Sequence, residues 1–430
     1  MNELNFSGLG LGEPILRALQ KKNYTEPTPI QAQAIPELLS GGDMMGIAQT
    51  GTGKTAAFAL PILHQLNLSQ SEGGKRKPKA LILAPSRELA IQISDEIRAY
   101  GQFLALRQTV IVGGVSQKSQ VSALQRGVDI IISTPGRLLD LMNQRHVQLD
   151  EVCHFVLDEA DRMLDMGFIN DMRKIIAAIP KKRQSLLFSA TMSTEIERLA
   201  RTMLNDPLRI EITPQATTVE KIEQSVIHLN SSDKRNQLSS LLEDAAYKRV
   251  IVFARTKHRA NKIAQQLEQV GVKAEAIHGN KSQGARQRAL KNFKSGQIRV
   301  LVATDILARG IDVDGVSHVI NFELPNEAES YVHRIGRTAR AGAGGIALSF
   351  CDPSERAYLK DIEKLVRHKL TVIGDEPTGP IPAAKAKPAR GGKRGPGKPK
   401  NRTKFSKNPG QKPANANGGQ TRSRKRRRAA

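Results

Sequence analysis

The chain has 430 residues, 39% of them hydrophobic, and its 66 Lys plus Arg against 41 Asp plus Glu give a formal net charge of +25. That length suits two or three domains of ~100–200 residues, each able to bury a core. Two widely spaced cysteines, Cys153 and Cys351, argue against a disulfide framework or a cysteine-based zinc site and fit a reducing compartment. The opening Met1–Phe6 stretch carries no basic region before an apolar core, and no apolar run approaches the ~18 residues of a membrane span, so a soluble, cytoplasmic protein without membrane partners is expected.

The charge is unevenly placed. From Pro377 to Ala430 there are 17 Lys plus Arg and no Asp or Glu, which leaves the body with 49 basic against 41 acidic residues, a net charge of +8. A mildly basic body with a very basic tail points to a polyanion, nucleic acid above all.

In chain order, Glu13 to Gln20 reads as a helix with Ile15, Leu16 and Leu19 on its apolar side. Pro27 and Pro29 then fix an extended turn, and a second helix runs from Ile30 to Leu39. Five short runs follow: Ala80–Leu83, Thr109–Val112, Asp129–Ile132, His154–Leu157 and Ser185–Phe188. They are apolar on both faces, as buried parallel strands are. Polar or glycine residues follow each run: Pro85-Ser86-Arg87, Gly113-Gly114, Thr134-Pro135-Gly136-Arg137, Asp158-Glu159-Ala160-Asp161 and Ser189-Ala190-Thr191. An open α/β sheet binds ligands outside the carboxyl ends of its strands, so these signals converge on one edge.

Pro207, Pro214 and a Thr-rich stretch around 205–218 read as an interdomain linker. A second α/β series then runs through Val250–Phe253, Ala274–Ile277, Arg299–Val302, His318–Asn321 and Ile346–Phe350, with a closing helix from Pro353 to His368. From about Gly374 the composition turns to Pro, Gly, Ala, Lys, Arg and Asn, too poor in apolar surface to offset the entropy of ordering, so a disordered tail is expected.

Two stretches carry chemistry on their own. Ala48-Gln49-Thr50-Gly51-Thr52-Gly53-Lys54-Thr55 fits a phosphate-binding loop, with Ala48 where many such loops have a first glycine. Its small residues let backbone N–H groups curl around phosphate, Lys54 can reach the β and γ phosphates, Thr55 can ligate Mg²⁺, and a helix should open there with its positive end on the anion. Asp158 ends a buried strand and is the candidate metal residue, directly or through water. Glu159 is the candidate to orient and deprotonate an attacking water.

With these residues and the order of the remaining motifs, the chain resembles the DEAD-box RNA helicases, the bacterial RhlE-like subgroup in particular, from about Phe6 to about Leu370. The resemblance rests on Thr25–Gln31 with Phe6 upstream, Ala48–Thr55, Pro85–Ala90, Gly113-Gly114, Thr134–Arg137, Asp158–Asp161, Ser189–Thr191, Val252–Thr256, Ala303–Asp312 and His333–Arg340. It implies an α/β fold of two tandem RecA-like domains, each a mostly parallel sheet flanked by helices, plus a disordered basic C-terminal tail. The implied boundaries are domain 1 at 1–206, a linker at 207–219, domain 2 at 220–373 and the tail at 374–430.

The resemblance also implies roles. Gln31 reads the adenine edge, Tyr24 or Phe6 packs on its ring, and Thr28 supports the turn. Gly310 and Asp312 contact ATP from the second domain. Arg337 and Arg340 act as fingers on the γ-phosphate; the spacing of Arg334, Arg337 and Arg340, three apart, separately predicts one helical face. Asp161, Ser189, Thr191 and His333 couple the two halves. RNA lies across Pro85, Arg87, Gly113, Gly114, Thr134, Gly136 and Arg137 in the first domain, and Thr256, Gly279, Arg286, Thr304 and Arg309 in the second. The implied activity is RNA-stimulated hydrolysis of ATP, with Mg²⁺, driving local unwinding of short RNA duplexes or remodelling of RNA–protein complexes. The alternative is an ATP-gated RNA clamp or annealer. Ribosomal particles and RNA-decay nucleases are the protein partners it suggests. Ser86, Leu307 and Ala339 depart from the family's usual Thr, Ala and Gly.

Overall fold

The computed structural model describes residues 5–48, 51–69, 76–212, 222–305, 313, 315–339 and 344–375. Of the expected tail at 374–430, residues 376–430 lie outside them. Among the described residues no helix is long and apolar enough to cross a membrane.

Seven strands form the first sheet: β1 (Met44–Ile47), β2 (Ala80–Leu83), β3 (Gln108–Ile111), β4 (Ile130–Ser133), β5 (His154–Leu157), β6 (Gln184–Ser189) and β7 (Leu208–Glu211). Their order is β3-β4-β2-β5-β6-β1-β7, all parallel. The central strands are buried along their whole length, as expected where helices cover both faces. One apolar core lies under the helices Pro29–Leu39, Lys54–Leu68 and Arg87–Tyr100, and a second on the opposite face under Pro135–Asn143, Ile169–Ala178 and Thr194–Met203.

The second sheet contains β8 (Ile222–His228), β9 (Val250–Phe253), β10 (Ala274–Ile277), β11 (Val300–Ala303), β12 (His318–Asn321), β13 (Gly345–Cys351) and β14 (Thr371–Val372). Its order, β10-β11-β9-β12-β13-β8-β14, repeats the first with every strand advanced by seven. The expected second copy is therefore present in topology as well as in plan.

Four strands escape the sequence pattern: β1, β7, β8 and β14. In β1 the glycine that breaks the apolar run is needed for packing. A Cβ on Gly46 would stand 2.7 Å from Phe188 Cδ1 on the neighbouring strand. The edge strand β7 exposes all but Ile210, so it lacks the signature of a buried strand. It also occupies the beginning of the stretch expected as linker, 207–219, and pairs with β1 inside the first sheet. The closing helix is shorter than expected: a 3-10 turn at Pro353–Glu355 leads into Arg356–Val366, which ends as Arg367 turns left-handed at φ +62°.

Candidate nucleotide and RNA site

The phosphate loop leaves β1 next to the end of β6, where the Ala48 N–H donates to Ser189 O at 3.0 Å. Gly53 takes φ +93° and opens the helix Lys54–Leu68, as the sequence predicts. Only glycine fits there: φ is left-handed, and a Cβ would collide with Gln31 Nε2 and Thr28 Oγ1. Lys54 is buried, its Nζ donating to Ala48 O at 2.7 Å, so the ammonium sits inside the curl of its own loop. Gln31 is buried beside it. Its Nε2 donates to Gly53 O at 3.1 Å and its Oε1 accepts from the Thr28 N–H at 2.9 Å. The residue expected to read adenine thus also ties the first turn of its helix to the phosphate loop. Phe6 is buried and stacks on the half-exposed Tyr24 at 6.5 Å between ring centroids. Of the two aromatic candidates, Tyr24 offers the accessible ring. Gln49 and Thr50 lie outside the described residues.

Asp158 follows β5, its N–H donating to Leu83 O at 3.0 Å. Burial pushes its carboxyl up to about 6 in spite of the nearby Lys54 ammonium. Its Oδ1 is buried with no hydrogen-bond partner among the described residues. A buried carboxylate oxygen left open near the Lys54 ammonium, one residue before Thr55 in the phosphate loop, suits Mg²⁺, which takes one or two protein oxygens and keeps its waters. Glu159 adopts the left-handed conformation, φ +54°, and pairs with Arg162 with both side chains buried. Asp161 is a hub. Its Oδ2 accepts from the Ala190 N–H at 3.1 Å, the Thr191 N–H at 3.2 Å and Thr191 Oγ1 at 3.3 Å, while Ser189 Oγ donates to Thr191 O at 2.7 Å. Three of the four expected coupling residues therefore meet in one network.

The helical-face reading of the arginines does not hold. The helix Ala328–Ile335 ends at Gly336, so Arg337 lies beyond it. Arg334 is buried and tied to its own domain, with Nε 2.5 Å and Nη2 2.9 Å from the Asp305 carboxylate and Nη1 bonded to Asn321 Oδ1 at 3.1 Å and Glu323 O at 2.6 Å. Arg337 is buried too, its Nε donating to His333 O at 3.1 Å. Ala339, where the family usually has glycine, takes φ +53°. Arg309, Gly310, Asp312, Arg340 and Leu307 lie outside the described residues.

On the rim of the first sheet, the Arg87 guanidinium lies over Gly113 and Gly114, and a Cβ on Gly114 would strike its Nη1. Arg137 reaches Val115 O at 3.5 Å. Ser86 keeps the hydroxyl of the residue it replaces and uses it as a helix cap, accepting from the Leu89 N–H at 3.2 Å. Pro85 and Thr134 are buried and Gly136 is exposed at neighbouring strand ends. On the second sheet, Thr256 caps the helix Lys257–Gln269, Thr304 is buried after β11, and Gly279 is exposed after β10. Arg286 is 2.5 Å from Glu88 Oε2, and Gln283 Nε2 donates to Glu88 Oε1 at 3.0 Å. Here Arg286 forms a buried ion pair between the two halves. Glu88 and Gln283 were not singled out from sequence. Glu88 stands within the quoted Pro85–Ala90 motif, but its partners lie almost two hundred residues away.

Comparison with known proteins fits this geometry. The DEAD/DEAH box helicase family matches residues 28–199, and the helicase conserved C-terminal domain matches 233–342. A DEAD-box ATP-dependent RNA helicase CshA of Geobacillus kaustophilus (strain HTA426) is 44% identical over 365 residues, 85% of this chain and 77% of that protein. CshA of Bacillus subtilis (strain 168) is 43% identical over 375 residues, 87% of this chain and 75% of that protein. Among solved structures, S. cerevisiae Dbp5 bound to RNA and ADP BeF3 superposes with a TM-score of 0.76 at 33% identity, covering 86% of this chain and 95% of that one. Mss116 bound to ssRNA and UDP-BeF gives 0.77 at 28% identity, covering 88% and 81%. The chain belongs to the DEAD-box ATP-dependent RNA helicase family.

Proposed function

We propose that this protein hydrolyses ATP in a site split between its two sheets and uses closure of that site on RNA to pry apart short duplexes or remodel RNA–protein complexes. The observation that carries this reading is the arrangement at the strand ends of the first sheet. Lys54 sits in a phosphate-loop curl, Asp158 offers a buried carboxylate oxygen with no partner among the described residues, and Glu159 follows it in the chain. Lys54 and the loop N–H groups bind the phosphates. Thr55 and Asp158 would hold Mg²⁺, which when bound supplies charge neutralisation across the phosphates. Glu159 accepts the proton of the attacking water as its oxygen bonds the γ-phosphorus and the bond to the bridging oxygen of ADP breaks. Arg337 and Arg340 take up the charge spread over the transferring oxygens. Gly310 and Asp312 complete the nucleotide contacts, and His333 joins the Asp161–Ser189–Thr191 network.

RNA lies along the rim of Pro85, Arg87, Gly113, Gly114, Thr134, Gly136 and Arg137, continued by Thr256, Gly279, Thr304 and Arg309, and by Arg286 once it leaves its buried pair with Glu88. Glycines admit the phosphodiester and arginines bind it, a readout of backbone rather than bases. Two domains, 1–206 extended by β7 and 220–373, carry these halves. The RhlE-like assignment rests on the motif set alone, since the relatives described above are named CshA. A cytoplasmic site of action and a role with ribosomal particles or RNA-decay nucleases belong to the same proposal. The tail acts as an RNA tether, so deleting residues 377–430 should weaken RNA affinity and flatten its salt dependence while sparing basal ATPase.

The direct test is Glu159→Gln. ATP and RNA binding are expected to persist while multiple turnover stops. Unchanged steady-state hydrolysis would remove Glu159 from its role.

A further inference from the structure

Glu159 is an unusual place for a charged side chain. Its backbone is left-handed at φ +54°, its carboxylate is buried, and it opens the short helix Ala160–Asp165. A non-glycine residue holds that conformation only where its surroundings over-determine it. The ion-pair partner of its carboxylate is Arg162, one turn on, buried to the same degree. Arg162 is itself fixed by the coupling hub: its N–H donates to Asp161 Oδ1 at 3.0 Å and to Glu159 O at 3.1 Å. Asp161 in turn bonds the Ala190–Thr191 backbone.

Arg162 also faces the other half of the molecule. It lines a cavity of about 470 Å³ whose far wall includes Arg255, Asp305 and Glu327 of the second domain. A guanidinium presents five donors in a rigid fork and can serve two carboxylates at once. Its place between Glu159 and a cleft wall bearing Glu327, with Asp305 already held by Arg334, gives a change in cleft width a route to the carboxylate.

We propose that Arg162 is the positioning residue of Glu159: its guanidinium sets the carboxylate in place and links that placement to the second domain across the shared cavity. This deepens the proposed function and rests on the reading of Glu159 as the base. As a positioning residue Arg162 does not touch ATP, so its loss should act on turnover and not on binding.

The test uses the full chain. In Arg162→Gln, RNA-stimulated kcat should fall about tenfold, with KM for ATP and RNA affinity moving by less than about twofold. Arg162→Lys, which keeps the charge but not the fork, should recover part of the loss. Under single turnover, Arg162→Gln added to Glu159→Gln should cost nothing further. The proposal is wrong if Arg162→Gln leaves kcat unchanged, or if its effect adds in full to that of Glu159→Gln. It is also wrong if ATP binding, RNA binding and thermal midpoint fall together with kcat, because Arg162 then only holds the fold. Full turnover by Glu159→Gln removes the base and this proposal with it, whereas a dead Glu159→Gln beside an active Arg162→Gln removes this proposal alone.

Discussion

Ala339 holds a left-handed backbone at φ +53°, a conformation in which an L side chain crowds the following carbonyl and glycine does not. Ala339→Gly is therefore expected to stabilise the second domain by about 0.5–1 kcal/mol, read as a higher midpoint in thermal unfolding. At Gly114 the opposite change is costly. A Cβ there meets the Arg87 guanidinium, and φ is +75°, so Gly114→Ala should displace Arg87 and weaken RNA binding with ATP affinity unchanged. Filter binding alongside nucleotide titration separates the two. At this scale the sequence is legible where one residue acts with its near neighbours. Lys54, Asp158 and Glu159 stand in continuous stretches whose chemistry is set by type and spacing, and all three are buried at the strand ends of the first sheet. Residues that act through distant partners are not legible. Glu88 meets Gln283 across the rest of the first domain and the linker, and Arg162 shares a cavity with the second domain only once both are folded.

Among the elements, buried strands announced themselves through apolar runs, because both faces of a parallel sheet are covered by helices. The edge strand β7 and the glycine-interrupted β1 did not, since one is half in solvent and the other yields its side chain to Phe188. Helix ends were legible where a cap or proline marks them, and misjudged where Gly336 stops a helix that the arginine spacing seemed to extend. Within the second domain, Lys234 is fully buried and pairs with Glu355 and, at 3.1 Å, with Asp352. Burial holds the Glu355 carboxyl above its ordinary range, against the pull of Lys234. Glu355 also accepts from the Leu324 N–H at 3.2 Å and pairs with Arg255 at 3.0 Å, so the cluster ties three chain segments to the end of β9. Lys234→Met leaves two carboxylates short of a cation in the interior and is expected to cost about 3–5 kcal/mol in denaturant unfolding. A loss under about 1 kcal/mol would show that water reaches the cluster.

The molecule as a whole repeats one seven-strand order twice and joins the copies through the buried Glu88–Arg286 pair. Its acid response follows from buried histidines. Burial holds His154, His278 and His318 below their ordinary value. The unfolded chain then binds more protons than the folded one as pH falls through about 6.5. The stability these groups contribute is complete above that pH and is lost as pH falls through their folded values. Asp158, raised to about 6, works in the opposite sense and gains protons in the folded state first. Glu355, whose carboxyl burial also holds up, acts in the same sense as Asp158. With three histidines against these two carboxyls, the unfolding midpoint should drop between pH 7.5 and 5.5, and His154→Gln should reduce that drop. The proposed activity requires that the two halves make one active site only with RNA between them. Steady-state ATP hydrolysis by the full chain, with and without saturating single-stranded RNA, tests it most directly when wild type is compared with Arg337→Ala. RNA should stimulate the wild type by about tenfold or more, and that stimulation should be lost in Arg337→Ala with ATP still bound. Equal hydrolysis with and without RNA, or full stimulation without Arg337, would contradict it.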